Sequence, residues 1–340
     1  MKGTIFRLIA VSLSVLGYTQ SANAATLQEV EQRGHVRCGV NPHLPGFASQ
    51  DTKGKWSGLD VDICRAVAAA VFDDPDKVKY RPIPPAQRFD ALLSGEIDIL
   101  SRTTTWTLTR DTKDAVNFTG VNYFDGQGFL VHKDLGVRTA LGLGGARICA
   151  VEATTSIKNL NDYFVLHRMQ YKLKTFPGSD EAIAAYQNKQ CDVFTSDQSG
   201  LYSILTELKD RRNSRVLPEV ISKEPLGSAV REGDDQWADI VRWSLFIMIN
   251  AEELGITSEN VDNVREVSRT PAIRRMLGLQ GDIGSGMGLG RNWAYNIIRH
   301  VGNYAESFDR NVGSGSELKM KRGLNANWRN GGILYAPPVR

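Results

Sequence analysis

Short motifs that mark a dedicated chemistry are missing from this chain of 340 residues. It has no glycine-rich phosphate loop, no Gly-x-Ser-x-Gly elbow, no His-Glu-x-x-His helix and no zinc-like cysteine–histidine spacing. Phosphoryl transfer, serine hydrolysis and metal-assisted hydrolysis therefore have no signature to rest on. Neither a metal nor a cofactor is expected. Histidine is scarce, and the five present (His35, His43, His132, His167 and His300) form no paired constellation, which removes the commonest general acid–base agent. Charge of one sign is lacking as well. The 41 Lys and Arg stand against 38 Asp and Glu with no basic run, so no nucleic-acid partner is expected. Beyond residue 24 no apolar run is long enough to span a bilayer, against a receptor ectodomain. Cysteine is limited to four.

Those four are read against the amino terminus. Lys2 and Arg7 flank the start of an apolar run from Leu8 to Gly17, and Ala22-Asn23-Ala24 is a small-x-small cleavage site. This is the pattern of a secretory signal peptide over residues 1–24, with Ala25 first in the mature chain. The apolar core is too short for an anchor, and no cysteine at the cleavage point calls for a lipid. An exported chain meets an oxidising compartment, where an even cysteine count favours disulfides. Four cysteines allow three pairings. Cys38 and Cys64 fall in one half of the chain and Cys149 and Cys191 in the other, which favours Cys38–Cys64 and Cys149–Cys191.

The body alternates short apolar runs with helical periods, over a length that suggests about two domains. Strands are predicted over 36–40, 79–83 and 97–100. Helices are predicted over 58–71 and 86–94, the first capped by Asp60 with Ile63, Val67, Ala70 and Val71 on one face. The rhythm resumes with strands over 148–151, 172–176 and 193–195, a helix from Ser156 and another over 180–189. Strands alternating with helices imply an α/β class with parallel sheet, and such sheets bind ligands beyond the carboxyl ends of their strands. Near the end, Trp293, Ile297, Val301, Tyr304 and Phe308 predict one amphipathic helix over 292–308. It is either folded back on the body or offered to a membrane partner.

Two strand ends carry chemistry. Residues 101–110 crowd hydroxyls before Arg110. Hydroxyls and exposed N–H groups suit an anion, and an arginine fork grips a carboxylate through two parallel bonds. Thr107 reads as a helix cap beside it. A threonine-rich strand edge followed by a surface arginine is the plainer alternative. Further on, 152–156 follows a strand and opens a helix, so Thr154 and Thr155 either bind a carboxylate or simply cap.

The run 58–71, the stretch 84–98 with Phe89-Asp90-Ala91-Leu92 and Gly95-Glu96-Ile97-Asp98, and Thr103, Thr105 and Arg110 followed by Val116-Asn117-Phe118-Thr119 stand in one order. That series resembles the solute-binding proteins of polar amino-acid ABC transporters, family 3, over roughly residues 29–253. The spelling at 101–107 and the long tail are similar to the general L-amino-acid-binding members. The resemblance implies a two-lobed, type II periplasmic binding protein fold with the ligand in the interlobe cleft. Lobe one would be 25–131 plus 226–340, with an extension from about 270, and lobe two 132–225. Hinge strands would lie at 127–131 and 226–230.

By the same resemblance Thr103, Thr105 and Arg110, with Thr154 and Thr155, take the ligand carboxylate and Asp197 takes its ammonium. Side-chain selection falls to Asn41, Leu44, Phe47, Phe89 and Arg102. Arg102 faces either the pocket or, by strand alternation, solvent. Arg102 and Asn41 favour polar or acidic side chains such as glutamate, glutamine, aspartate and asparagine, while Leu44 in place of the usual aromatic loosens shape selection. The implied protein is a monomeric periplasmic receptor, not an enzyme, that delivers an L-amino acid to a membrane permease. The alternative is a secreted cyclohexadienyl or arogenate dehydratase on the same scaffold.

Overall fold

A computed structural model describes residues 26–340, and the leader expected over 1–24 lies outside the described residues. Helix α1 (Thr26–Arg33) leads into strand β1 (Val36–Val40), and a hairpin of β2 (Ser49–Gln50) and β3 (Trp56–Ser57) follows. Next come α2 (Leu59–Phe72), β4 (Val78–Pro82), α3 (Arg88–Leu93), β5 (Ile99–Thr105), α4 (Leu108–Lys113), β6 (Val116–Phe118) and β7 (Tyr123–Asp125). The chain then builds a second unit. Its elements are β8 (Gln127–His132), β9 (Arg147–Val151), α5 (Ser156–Leu166), β10 (Lys172–Phe176), α6 (Ser179–Gln187), β11 (Val193–Asp197), α7 (Gln198–Glu207) and β12 (Ser214–Val216). It returns through β13 (Glu224–Arg231) and α8 (Asp235–Glu253). The chain ends in α9 (Val261–Val267), α10 (Pro271–Met276), α11 (Trp293–Val301), α12 (Tyr304–Asn311) and an irregular tail.

The first lobe is built on a sheet in the order β4-β1-β5-β13-β6, with β7 also on β13; the second is built on β10-β9-β11-β8-β12. In each, the βαβ units give parallel pairs, β1 with β4 and β5, and β9 with β10 and β11. Strands β13 and β8 enter antiparallel to β5 and β11. Helix α2 is apolar on nearly every side because it lies between the first sheet and the helices of the tail, and Ile63, Val67 and Ala70 are all buried.

Two expectations about the chain path need correction. Residues 127–131 are not a hinge but already a central strand of the second sheet, and the crossing occurs at Gly126. A Cβ there would lie 2.1 Å from Val220 and 2.7 Å from the Ser222 carbonyl, so the outgoing and returning connections pack directly on each other. The return likewise falls just before β13, whose residues 226–230 pair within the first sheet. The amphipathic stretch near the end is two helices, not one. Gly302, at φ 88, stops α11, and Asn303 with Glu306 forms a capping box that starts α12.

That tail is folded back on the first lobe. Trp293, Ile297, Val301, Tyr304 and Phe308 are each at most 2% exposed. Asp62, in the first turn of α2, accepts hydrogen bonds from Ser307 (2.7 Å), Arg310 (2.6 Å) and Asn311 (2.6 Å). Asn325 pairs with both the N–H (2.6 Å) and the carbonyl (3.0 Å) of Phe124, beside the outgoing crossing. Among the described residues no helix is long and apolar enough to cross a membrane.

The disulfides are Cys38–Cys64, from β1 to α2, and Cys149–Cys191, from β9 to the residue just before the turn into β11. Each staples one lobe. The second closes the longer loop, 42 residues against 26, so the chain-entropy effect should be at least as large there. Replacing Cys149 and Cys191 together by Ser should lower the unfolding free energy by about 2–4 kcal/mol, read by denaturant titration; an unmoved midpoint would contradict this.

Candidate functional site

The carboxyl ends of β1, β5, β9 and β11 open on one cleft between the two sheets, where α/β sheets bind ligands. Asn41, Leu44, Arg102, Thr103, Thr105, Arg110, Thr154, Thr155 and Asp197 all line it. Phe47 and Phe89 do not. Phe47 is 1% exposed and meets the Tyr123 ring edge-on at 5.4 Å, inside the first lobe. Phe89 packs on the Ile83 and Leu92 cluster and lies 5.7 Å and 5.8 Å from the guanidinium carbons of Arg88 and Arg110. It supports two arginines from behind rather than presenting a face to a ligand.

The end of β5 is bent by a non-glycine residue. Thr103 has φ 41, a left-handed conformation costing about 1–3 kcal/mol that persists only when its surroundings hold it. Asp60 does so. It accepts the Thr103 N–H at 2.8 Å and the Ser101 hydroxyl at 3.4 Å. Asp60 is therefore not the cap of α2. Gly58 holds that place, at φ 137 and with Phe47 so close that a Cβ would sit 2.0 Å from its carbonyl oxygen. Burial pushes the Asp60 carboxyl up to about 6, although the Thr103 N–H and the Arg102 charge pull it down.

Three arginines converge on the cleft. Arg110 follows its Thr107 cap (3.3 Å) and donates to the Thr105 carbonyl at 2.8 Å, leaving the rest of its fork toward the cavity. Burial lowers its pKa, and Glu224 and Asp197 oppose that. Arg102 does not point to solvent; it is buried, donates to the Ile83 carbonyl at 2.7 Å and is lowered to about 10 by burial. Arg88 was not foreseen. It is buried, donates to the Pro85 carbonyl at 2.9 Å and to the Ala153 carbonyl of the other lobe, and also lines the cavity. Its place just before Phe89-Asp90-Ala91-Leu92, beyond the end of β4, was the available signal.

Most of the threonine hydroxyls are already committed. Thr105 donates to Glu224 at 2.6 Å, Thr155 to Glu224 at 3.0 Å and Thr154 to the Val151 carbonyl at 2.7 Å. Each donated proton is unavailable to an anion. Of the expected carboxylate donors, the free edge of Arg110, the Thr103 hydroxyl and the N–H groups opening α5 remain. Glu224, also unforeseen, sits at the return crossing with no local motif around it. On the opposite wall Asp197 ends β11 and reaches the cavity. Burial, then Asp125 and Glu224, push its carboxyl well above the usual range, with Arg110 and Arg88 opposing. Such a carboxyl gains most from a cation placed against it.

The lobes meet around this cavity. Besides the Arg88 contact, Ser203 donates to the Pro45 carbonyl at 2.8 Å and His43 pairs with Glu207 at 2.7 Å. Among the described residues no cluster of His, Cys, Asp and Glu is placed to hold a metal ion. The family model of bacterial extracellular solute-binding proteins, family 3, matches residues 36–260. This chain belongs to that family.

Relatives match over the length of the chain, tail included. The general L-amino acid-binding periplasmic protein of Rhizobium johnstonii is 54% identical over 97% of this chain and 98% of its own length. The glutamate/glutamine/aspartate/asparagine-binding protein of Rhodobacter capsulatus is 46% identical over 100% of this chain and 99% of its own. A periplasmic binding protein from Brucella ovis, solved with glutathione bound, superimposes with a TM-score of 0.91 at 50% identity, covering 93% of this chain and 100% of that one. The two-lobed type II architecture is thus shared by that periplasmic binding protein and this chain.

Asp60 gives this solute-binding cleft a pH signature. Its folded pKa lies above the ordinary carboxylate value, so its contribution to stability is full below about pH 4 and is lost as pH rises through about 6. Asp60→Asn cannot ionise. Between pH 4 and 7 the stability of the variant relative to wild type should improve by on the order of 2–3 kcal/mol, measured by denaturation at each pH. A difference that stays flat would show that burial does not raise the Asp60 carboxyl in the folded protein.

Proposed function

We propose that the chain is the periplasmic substrate-binding component of an ABC amino-acid importer. It captures an L-amino acid by lobe closure and delivers it to the membrane permease. The observation that carries this is the pairing of Arg110 on one lobe with Asp197 on the other, both facing one cavity. An α-carboxylate against the Arg110 fork and the α5 N–H groups, with the α-ammonium against Asp197, matches both charges of a free amino acid. Whole-length relatives named as amino-acid-binding proteins support the same reading, and they are not named as enzymes. A dehydratase would show itself by turnover of prephenate or arogenate.

The preference we propose is for polar and acidic side chains, with glutamate, glutamine, aspartate and asparagine as ligands. Three arginines and one aspartate line the cavity. Once Arg110 and Asp197 are matched by the α-groups, Arg102 and Arg88 leave a positive surplus that favours an acceptor oxygen and opposes a cationic side chain. Asn41 offers either a donor or an acceptor, so acid and amide are both tolerated.

Arg110→Ala should weaken amino-acid binding by about 3–5 kcal/mol, the scale of a buried charge losing its partner, with the melting temperature of the empty protein little changed. Arg110→Lys should recover only part, because a single ammonium lacks the fork. Calorimetric affinity within a few-fold of wild type for Arg110→Ala would sink the carboxylate assignment. In a competition series of glutamate, glutamine, histidine, leucine and arginine against one labelled ligand, glutamate or glutamine should bind tightest. Arginine winning by more than about tenfold, or roughly 1.4 kcal/mol, would rule out the positive side-chain pocket.

A further inference from the structure

Glu224 opens β13, is 1% exposed, and is not among the residues lining the cleft. An ionised carboxylate only accepts hydrogen bonds, and this one accepts four from three parts of the chain. Thr105, at the end of β5 in the first lobe, donates at 2.6 Å to Oε2. Thr155, at the mouth of α5 in the second lobe, donates to the same oxygen at 3.0 Å, and Asn159, one turn along α5, donates to Oε1 at 2.6 Å. Ser222, in the returning connection, also reaches Oε1 at 2.6 Å.

We propose that Glu224 is a positioning residue for ligand retention, a buried latch joining the second lobe to the first when the cleft is closed. This rests on reading the chain as an amino-acid receptor that closes on its ligand. Two of the four bonds survive opening, because Thr105 pairs with β13 in one sheet and Ser222 lies two residues away. The other two do not, since Thr155 and Asn159 travel with α5. Opening therefore exposes a carboxylate that has lost half its donors. Bonds to an ionised acceptor are about twice as strong as neutral ones, and a buried acceptor left short of partners is costly. Of the other contacts between the lobes, the Arg88 bond to the Ala153 carbonyl is likewise buried and charge-assisted, whereas the His43–Glu207 pair is 46% and 42% exposed and contributes little. The latch acts only on the closed state, so it slows ligand escape without changing entry.

Asn159 makes this testable, because it holds the latch without lining the cavity. The probe is whichever of glutamate, glutamine, aspartate and asparagine binds wild type most tightly, followed by stopped-flow tryptophan fluorescence. Glu224→Gln and Asn159→Ala should each raise the dissociation rate about tenfold, equivalent to one lost charge-assisted bond, while association changes less than about twofold. Asn159→Asp, which sets a second carboxylate against Oε1, should release faster still. The double variant Glu224→Gln, Asn159→Ala should release no faster than the worse single one, since both cut the same bond. Asn159→Ala keeps the test alive should Glu224→Gln fail to fold. Release at the wild-type rate in Asn159→Ala, or fully additive effects in the double variant, would overturn the latch and leave the receptor reading intact. Failure of wild type to bind any amino acid would overturn the receptor reading itself.

Discussion

Three guanidinium groups share one small cleft, and much of the surrounding structure exists to tolerate that. Arg88, Arg102 and Arg110 repel one another, and burial adds to the cost of each charge. The fold answers with backbone carbonyls rather than with an ion pair for each. Pro85, Ile83, Thr105 and Ala153 each take one of their N–H groups. The Phe89 ring lies near two of them, and Asp60, Glu224 and Asp197 stand close enough to be felt without neutralising the set. Carbonyl oxygens fix the direction of a guanidinium while leaving its charge uncompensated. The direction of each guanidinium is thus set by main-chain carbonyls.

Asp60 belongs to the same arrangement. It turns the end of β5 through the strained Thr103 and lies at the end of a chain running from Asn122 through Ser228 and Ser101. Each member of that chain sits on a different segment of the first lobe. The bend at the cradle is therefore tied to β13 and to the segment leading into β7, both of which lead to the crossings. Site shape and hinge position are consequently not independent features of this molecule.

The alternation of apolar runs and helical periods was enough to read the α/β class and the strand ends that face the cleft, and one cysteine pair in each half of the chain pointed to the disulfides. Thr103, Thr105 and Arg110 stood out because hydroxyls crowd at a strand end, whereas Asp197 was named through the family resemblance. Arg88 and Glu224 did not stand out: Arg88 had only its place beyond the end of β4 to mark it, and Glu224 reaches the site only because β13 inserts between β5 and β6. Phe47 and Phe89 show the converse, as an aromatic side chain reads alike whether it faces a ligand or a core. The split of the tail helix at Gly302 was hidden because Val301, Tyr304 and Phe308 keep helical spacing across the break. The apolar run 127–131 reads as a strand in either sheet, and only pairing decides which.

The position of β13 also has a consequence for how the molecule is made. The second lobe is drawn from one continuous stretch, β8 through β12, and can close its sheet as soon as that stretch is available. The first lobe cannot. Its interior strand β13 is synthesised after the whole of the second lobe, and the helices that cover α2 come later still. During biogenesis the amino-terminal half, already holding Cys38 and Cys64, must wait with the edge of β5 and the apolar flank of α2 uncovered. That half-built sheet is the state in which this chain is most exposed to mispairing.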